Sequence, residues 1–286
     1  MDAIKTGIWA WLMAALLLGA ACAANPVTGQ QQLAMMSEQE EIALGARAYP
    51  VAIDQYGGAL PKDSAMQAYV GRVGRRVAGS SHRPELPWEF AVVESEEVNA
   101  FALPGGKVAI TRGLLVRLPD EDSLAFVLAH EVGHVTARHY VSRHAQSSLI
   151  NLGVVGVGVA LGGSGWGGVA QRTAGTAGNL MLLSYSRDQE RQADDLGSMY
   201  MIAAGYNPKA QVAVMELLLK LRDKEPSYVA TLFSTHPMDQ ERLQTVRRRV
   251  EKVSPQVLAR PITPVPGPPK PPSLKRKRPS GYQQQG

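Results

Sequence analysis

Cysteine is almost absent from this chain: Cys22 is the only one in 286 residues. No internal disulfide can form, and every zinc module built on cysteine is excluded. Aromatic residues are also scarce, at 6%, and charged residues make up 19% against 45% apolar ones. That balance supports a sizeable core and fits neither a disordered chain nor a multi-span membrane protein. Acidic residues are missing from 261–286, where Lys270, Lys275, Arg276, Lys277 and Arg278 account for the whole formal charge of +5. The basic balance therefore belongs to a tail, and no nucleic-acid-binding face is expected.

Long apolar runs are few. Ile8 to Ala21 is one, preceded by Lys5 and followed by Cys22. A run this short, ending in Gly19, Ala20 and Ala21, reads as a signal peptide over 1–21 rather than an uncleaved spanning anchor. Ala21 and Ala23 offer an A-x-A cleavage site, while Leu18-Gly19-Ala20-Ala21-Cys22 resembles a bacterial lipobox. The only thiol stands where lipidation needs it, which favours Cys22 as a lipidated first residue. Ala23 after it, rather than Asp, points to an outer-membrane lipoprotein. The second run, 149–170, holds no charge and eight glycines. Glycine is a poor helix former in water, so a mobile loop or hairpin is expected there ahead of a membrane-inserted segment.

Between these runs the chain reads as mainly helical with a small sheet. Residues 22–36 form a polar leader. Ser37 with Glu40 is a capping box that opens a helix towards Tyr56, and Met66, Tyr69, Val70, Val73 and Val77 mark a second helix. Trp88 to Glu94 is β-rich, and Val98–Leu103 and Lys107–Thr111 flank Pro104-Gly105-Gly106 as a hairpin, with the first strand at an edge. Asp120, Glu121 and Asp122 then place negative charge at a helix start. Ser186 with Gln189 caps a later helix, and His236-Pro237 is expected to open the last one, with His236 at the cap. Past Ser254 the sequence turns Pro-rich and basic, an extended or disordered tail over 254–286.

His130-Glu131-Val132-Gly133-His134 lies inside a predicted helix. Two imidazoles four residues apart share one helical face and can grip a zinc ion. Glu131 stands about 100° round the helix from His130, and can take a proton from a water that zinc polarises. A third ligand is needed. The spacing of a third histidine six residues on is ruled out, since Ala137 and Tyr140 stand where Gly and His are wanted. His139 and His144 are expected on a partly solvated helix end, turned away from the His130–His134 face. Glu190 and Asp194, four apart on a separately capped helix, fit better: Glu190 as ligand, Asp194 as acceptor of a zinc histidine's outer N–H.

With Ser186-Arg187-Asp188-Gln189-Glu190-Arg191-Gln192-Ala193-Asp194 following H-E-x-x-H, the sequence resembles the HtpX and CAAX-prenyl-protease family of gluzincin metallopeptidases, nearest in kind to its envelope lipoproteins of the BepA and LoiP type. The likeness runs from about Asn25 to Arg242 and takes in Asn25-Pro26-Val27-Thr28-Gly29, Asn99-Ala100-Phe101, Leu103-Pro104-Gly105-Gly106 and Thr235-His236-Pro237. The multiple spans of HtpX are not seen, so an intramembrane role is not expected.

The resemblance implies an α+β, mainly helical zincin-like domain over 37–253. It implies His130, His134 and Glu190 as ligands of one zinc ion, Glu131 as base, and Asn99 and Ala100 as substrate-aligning positions. His236 is implied within reach of the metal, as a fourth ligand that holds the enzyme latent or as a donor to the oxyanion. Substrate would be an unfolded or misassembled polypeptide, added as a strand to the Val98–Leu103 edge. The basic tail would meet anionic envelope components. The rival class is an envelope assembly chaperone that keeps a zincin fold for binding.

Overall fold

The structure is a computed structural model in which residues 22–27, 29, 31–33, 36–148 and 184–264 are described. The expected signal peptide, the glycine-rich run and the end of the basic tail lie outside the described residues.

The leader is not merely a polar connector. Strand β1 (Cys22–Ala24) pairs antiparallel with β2 (Gln31–Leu33). The turn is closed by Asn25, whose Oδ1 accepts the Val27 N–H at 2.8 Å while its Nδ2 donates to the Ala137 carbonyl at 3.1 Å. Helix α1 (Glu38–Gln55) begins with the expected capping box, and α2 (Ala65–Ala78) buries Val70, Val73 and Val77.

Strands β3 (Glu89–Val93), β4 (Ala100–Leu103) and β5 (Lys107–Thr111) form one sheet in the order β3-β5-β4. The β4–β5 hairpin is antiparallel as the sequence predicts, and its turn needs glycine: Gly105 and Gly106 take φ of +70° and +86°. The parallel pairing of β3 with β5 leaves β4 at an edge that is open among the described residues. Both sheet faces are covered. Phe101, Leu103 and Ala109 face Ala48, Tyr49 and Ala52 of α1, while Ala100, Ala102, Val108 and Ile110 face the larger core. One-residue alternation thus decides which side of β4 looks towards the next helix.

After the short α3 (Arg112–Leu115), helix α4 (Glu121–Thr136) starts at Asp120, whose Oδ1 accepts the Ser123 N–H at 2.7 Å. All of its residues are buried. A helix enclosed on every side needs no polar face, which is why the motif sits in sequence without a clear amphipathic stripe. Helix α5 (Arg187–Ala203) begins with the Ser186/Gln189 capping box and packs against α4. The crossing is close: a Cβ on Gly197 would lie 3.0 Å from the His130 nitrogen, and one on Gly133 3.1 Å from the Ala193 carbonyl oxygen. Two glycines therefore set the distance at which α5 can present side chains to the motif.

Helices α6 (Lys209–Lys224), α7 (Pro226–Thr235), α8 (Gln240–Glu251) and α9 (Pro255–Leu258) complete the described chain. Two expectations change here. His236 closes α7 instead of opening the last helix, its N–H donating to the Leu232 carbonyl at 2.7 Å; Asp239 caps α8. Pro237 suits a first helical turn, but it is Asp239 Oδ1 that accepts the Arg242 N–H at 2.9 Å, while the His236 ring is turned to Glu190. The stretch 254–264 is also packed rather than extended. Asn207 Nδ2 donates to the Leu258 and Arg260 carbonyls, and the Thr263 N–H donates to Asp122 Oδ2 at 2.7 Å. No helix of the described residues is long and apolar enough to cross a membrane.

Candidate active site

His130 and His134 point from one face of α4, with their Nε2 atoms 3.1 Å apart. Across the glycine crossing, α5 brings Glu190, whose Oε1 lies 3.3 Å from His134 Nε2 and whose Oε2 lies 3.6 Å from His130 Nε2. His236, from the end of α7, places Nδ1 3.0 Å from Glu190 Oε1. These four side chains are all buried and offer ligand atoms within 4.8 Å of one another.

The set fits a zinc ion on two counts. A tetrahedral site with bonds near 2.0–2.1 Å has ligand atoms about 3.3 Å apart, close to the spacings found. The charge also asks for a divalent cation. Glu131, Glu190 and Asp194 are buried together, Arg242 pairs directly with two of them, and with the imidazoles neutral this group carries a formal excess of two negative charges. Enclosed charge of that size needs a partner.

Each histidine has a different support behind it. His130 Nδ1 lies 3.0 Å from Asp194 Oδ1, at an angle short of a well-formed hydrogen bond. Asp194 is itself gripped by Arg242, from Nε at 2.9 Å and Nη2 at 2.8 Å, and Arg242 Nη1 donates to Glu190 Oε2 at 2.6 Å. Burial opposes charge on His130, but Asp194 and Glu190 outweigh it and hold its pKa up to about 10. Burial likewise disfavours the Glu190 carboxylate, but the electrostatic influence of His236 and of the imidazoles gathered round it outweighs that and holds its pKa well below the usual range.

His134 rests on His139, contrary to the expectation of a solvated helix end. The reason is a break in the helix: Arg138 takes a φ of +55°, and the backbone turns His139 back towards the motif. His139 is 2% exposed, and its Nε2 donates to Gln192 Oε1 at 2.8 Å. Burial pushes its pKa down to about 4, so the ring is neutral and its Nδ1 carries only a lone pair. The 2.9 Å contact between the Nδ1 atoms must then be donated by His134, which leaves His134 Nε2 free to bind metal. Tyr185 stacks on the same imidazole, with ring centroids 3.8 Å apart.

Glu131 is buried beside the cluster, its Oε1 3.8 Å from His236 Nε2, while Oε2 has no hydrogen-bond partner among the described residues. Burial pushes its pKa up from the usual carboxylate range. Ala100 lines the space next to Glu131, whereas the Asn99 amide faces the other side of the sheet and donates to the Tyr56 hydroxyl at 2.7 Å. Nothing is described of the Cys22 side chain.

Residues 64–250, more than half of the chain, match Peptidase family M48. The chain belongs to that family. It is 27% identical over 269 residues to the beta-barrel assembly-enhancing protease of Escherichia coli strain K12, covering 89% of this chain and 54% of that protein. It is 31% identical over 222 residues to the mitochondrial metalloendopeptidase OMA1 of Schizosaccharomyces pombe, covering 77% of this chain and 64% of that one. Metalloprotease LoiP of Escherichia coli strain K12 is 32% identical over 165 residues, covering 57% of this chain and 63% of that one. This M48 chain thus spans about half to two thirds of the length of these relatives.

Four residues at the M48 site were not singled out as part of it by sequence: Arg242, His139, Gln192 and Tyr185. Arg242 sits in an ordinary-looking charged helix. His139 depends on a left-handed arginine that no glycine or proline announces.

Proposed function

We propose that this chain is a zinc metalloendopeptidase that hydrolyses peptide bonds of unfolded or misassembled cell-envelope proteins. The observation that carries the reading is the buried Glu131 Oε2, without a partner among the described residues, beside a four-residue ligand set. A buried carboxylate oxygen without a donor is costly unless a water or substrate meets it there. Its raised pKa suits a group that takes and returns a proton.

His130, His134 and Glu190 would hold the ion, with Asp194, Arg242 and His139 fixing their orientation. Zinc, when bound, supplies positive charge that acidifies water and polarises a carbonyl. Glu131 takes the proton of the attacking water and passes it to the leaving amine. His236 has two roles open to it in this reading: a fourth ligand that keeps the enzyme latent, or a donor to the oxyanion. The edge of β4 that begins at Ala100, unpaired among the described residues, would take up substrate as an added strand, a mode that tolerates varied sequence. Asn99, which follows Val98 into that strand, would align the same stretch.

The envelope assignment is supported by the likeness to the beta-barrel assembly-enhancing protease and by the lipobox-like segment before Cys22. The anchor would be a lipidated Cys22 in the outer membrane, with the basic tail against anionic envelope components. Mass spectrometry of the mature chain tests it: diacylated Cys22 is expected, and an unmodified N-terminus at Ala24 would contradict it. Activity is tested with casein and the purified, zinc-loaded chain. Cleavage should stop on zinc chelation and return with one equivalent of zinc; zinc-independent cleavage, or none, would overturn the reading.

A further inference from the structure

The leader and the start of α1 take no part in the chemistry above, yet their polar groups converge on one point, the end of α4. There Arg138 takes its φ of +55°, a conformation that glycine adopts freely and that strains a residue with a Cβ. The arginine side chain is tied down on two sides. Its Nε donates to Glu41 Oε2 at 3.0 Å and its Nη2 to the Met36 carbonyl at 2.6 Å. Glu41 is 1% exposed and also accepts from Arg83, whose Nη1 donates to Oε1 at 3.0 Å and Nη2 to Oε2 at 3.1 Å. Arg83 Nη1 donates in addition to the Val135 carbonyl at 3.2 Å. From the leader, Asn25 donates to the Ala137 carbonyl, and its own carbonyl accepts the Gly29 N–H at 2.8 Å. The last carbonyls of a helix need donors from outside it. Here two of them receive donors from side chains 52 and 112 residues away.

A left-handed residue with a side chain persists only where its surroundings over-determine it, and this network does so from three separate segments. The turn it holds has a consequence for the metal site, because His139 follows Arg138 directly and is the ring on which His134 rests. We propose that Asn25, Glu41 and Arg138 are positioning residues for the metal centre. By fixing the turn at 138 they keep His139 behind His134, and so keep the His134 Nε2 lone pair aimed at the ion. A turn left free would let His139 swing away, and His134 would lose the acceptor that selects its tautomer. Coupling of this kind is reciprocal: loosening the leader lowers affinity for zinc, and zinc tightens the leader. Asn25 stands three residues after Cys22, so the clamp ties the metal centre to the part of the chain expected to carry the anchor. This role rests on the zinc peptidase reading above and deepens it.

The test begins on the metal-free full chain. Nitrogen-15 spectra of labelled histidine report the tautomer of each ring, with signals assigned from single-histidine variants. Wild-type His134 should show one tautomer, protonated at Nδ1. Arg138→Gly relieves the strain but removes the tie. It should keep a denaturation midpoint near wild type, mix the His134 tautomers and weaken zinc about fivefold, less than the 10–100-fold typical of a direct partner. Asn25→Asp keeps an acceptor for the Val27 N–H but loses the donor to Ala137, and should weaken zinc about threefold. Glu41→Gln should add little in the Arg138→Gly background if it acts through Arg138; a fully additive loss would remove Glu41 from the proposal. The control is Asn207→Ala, which releases 254–264 from the opposite end of α4. It should lower stability yet leave the His134 tautomer and the zinc affinity as in wild type. An equal change in that control, or an unaltered tautomer and affinity in Arg138→Gly and Asn25→Asp, would overturn the clamp even if the chain cleaves casein. Altered tautomer and affinity in a chain that never cleaves would uphold the clamp and sink the peptidase reading instead.

Discussion

His130 and His134 occupy equivalent places in their motif, one helical turn apart, yet the molecule supports them in opposite ways. Behind His130 stands charge: Asp194, held in turn by two arms of Arg242. Behind His134 stands a neutral chain: His139 and then Gln192. The carboxylate makes its imidazole a stronger base, while the neutral relay selects a tautomer without adding charge. The two supports therefore divide the work. One concentrates electrostatic attraction for a cation, and the other fixes a lone pair in place. Hanging both carboxylates of α5 on one guanidinium also makes the charged half the more fragile, because Arg242 neutralises Glu190 and Asp194 at once.

The largest effect should come from Arg242→Met. It leaves two buried carboxylates without their cation and should destabilise the metal-free protein by about 3–5 kcal/mol, read as a lowered denaturation midpoint. Excess zinc should recover part of that loss, since a cation that binds only the folded chain stabilises it. Unchanged stability would show that the charged half is not held by Arg242.

Next comes the direct comparison of the two supports. Asp194→Ala should weaken zinc affinity by about 10–100-fold, and His139→Leu by about tenfold, the low end of the range for such partners. If His139→Leu costs more than Asp194→Ala, the proposed division between charge and tautomer is reversed. His236→Ala should change affinity least, since His130, His134 and Glu190 remain. Its readout is activity on unfolded substrate. A gain supports latency, a loss of about 10²-fold or more supports an oxyanion donor, and wild-type rates would remove both roles.

The ease with which the sequence could be read follows the same division. Side chains at fixed helical spacing, such as His130, Glu131, His134, Glu190 and Asp194, announce themselves because the geometry of one helix converts spacing into direction. The capping boxes at Ser37 and Ser186 and the hairpin at Gly105-Gly106 are legible for the same local reason. What stayed hidden depends on tertiary packing. Arg242 reaches the site only because α8 brings its guanidinium to Asp194 and Glu190 of α5, and His139 only because Arg138 breaks the helix. The parallel pairing of β3 with β5 and the docking of 254–264 are likewise long-range. His236 was placed within reach of the metal by resemblance, and the structure puts it beside Glu190, but at the end of α7 and not at the start of the helix that follows.

The central claim is that Glu131 handles the proton and is not a ligand, and one substitution tests it. Zinc content and casein cleavage should be measured together on the wild-type chain and on Glu131→Gln. The account predicts one zinc per chain in both and a loss of cleavage by several orders of magnitude in the variant. Normal cleavage by Glu131→Gln, or loss of its zinc with the fold intact, would contradict it.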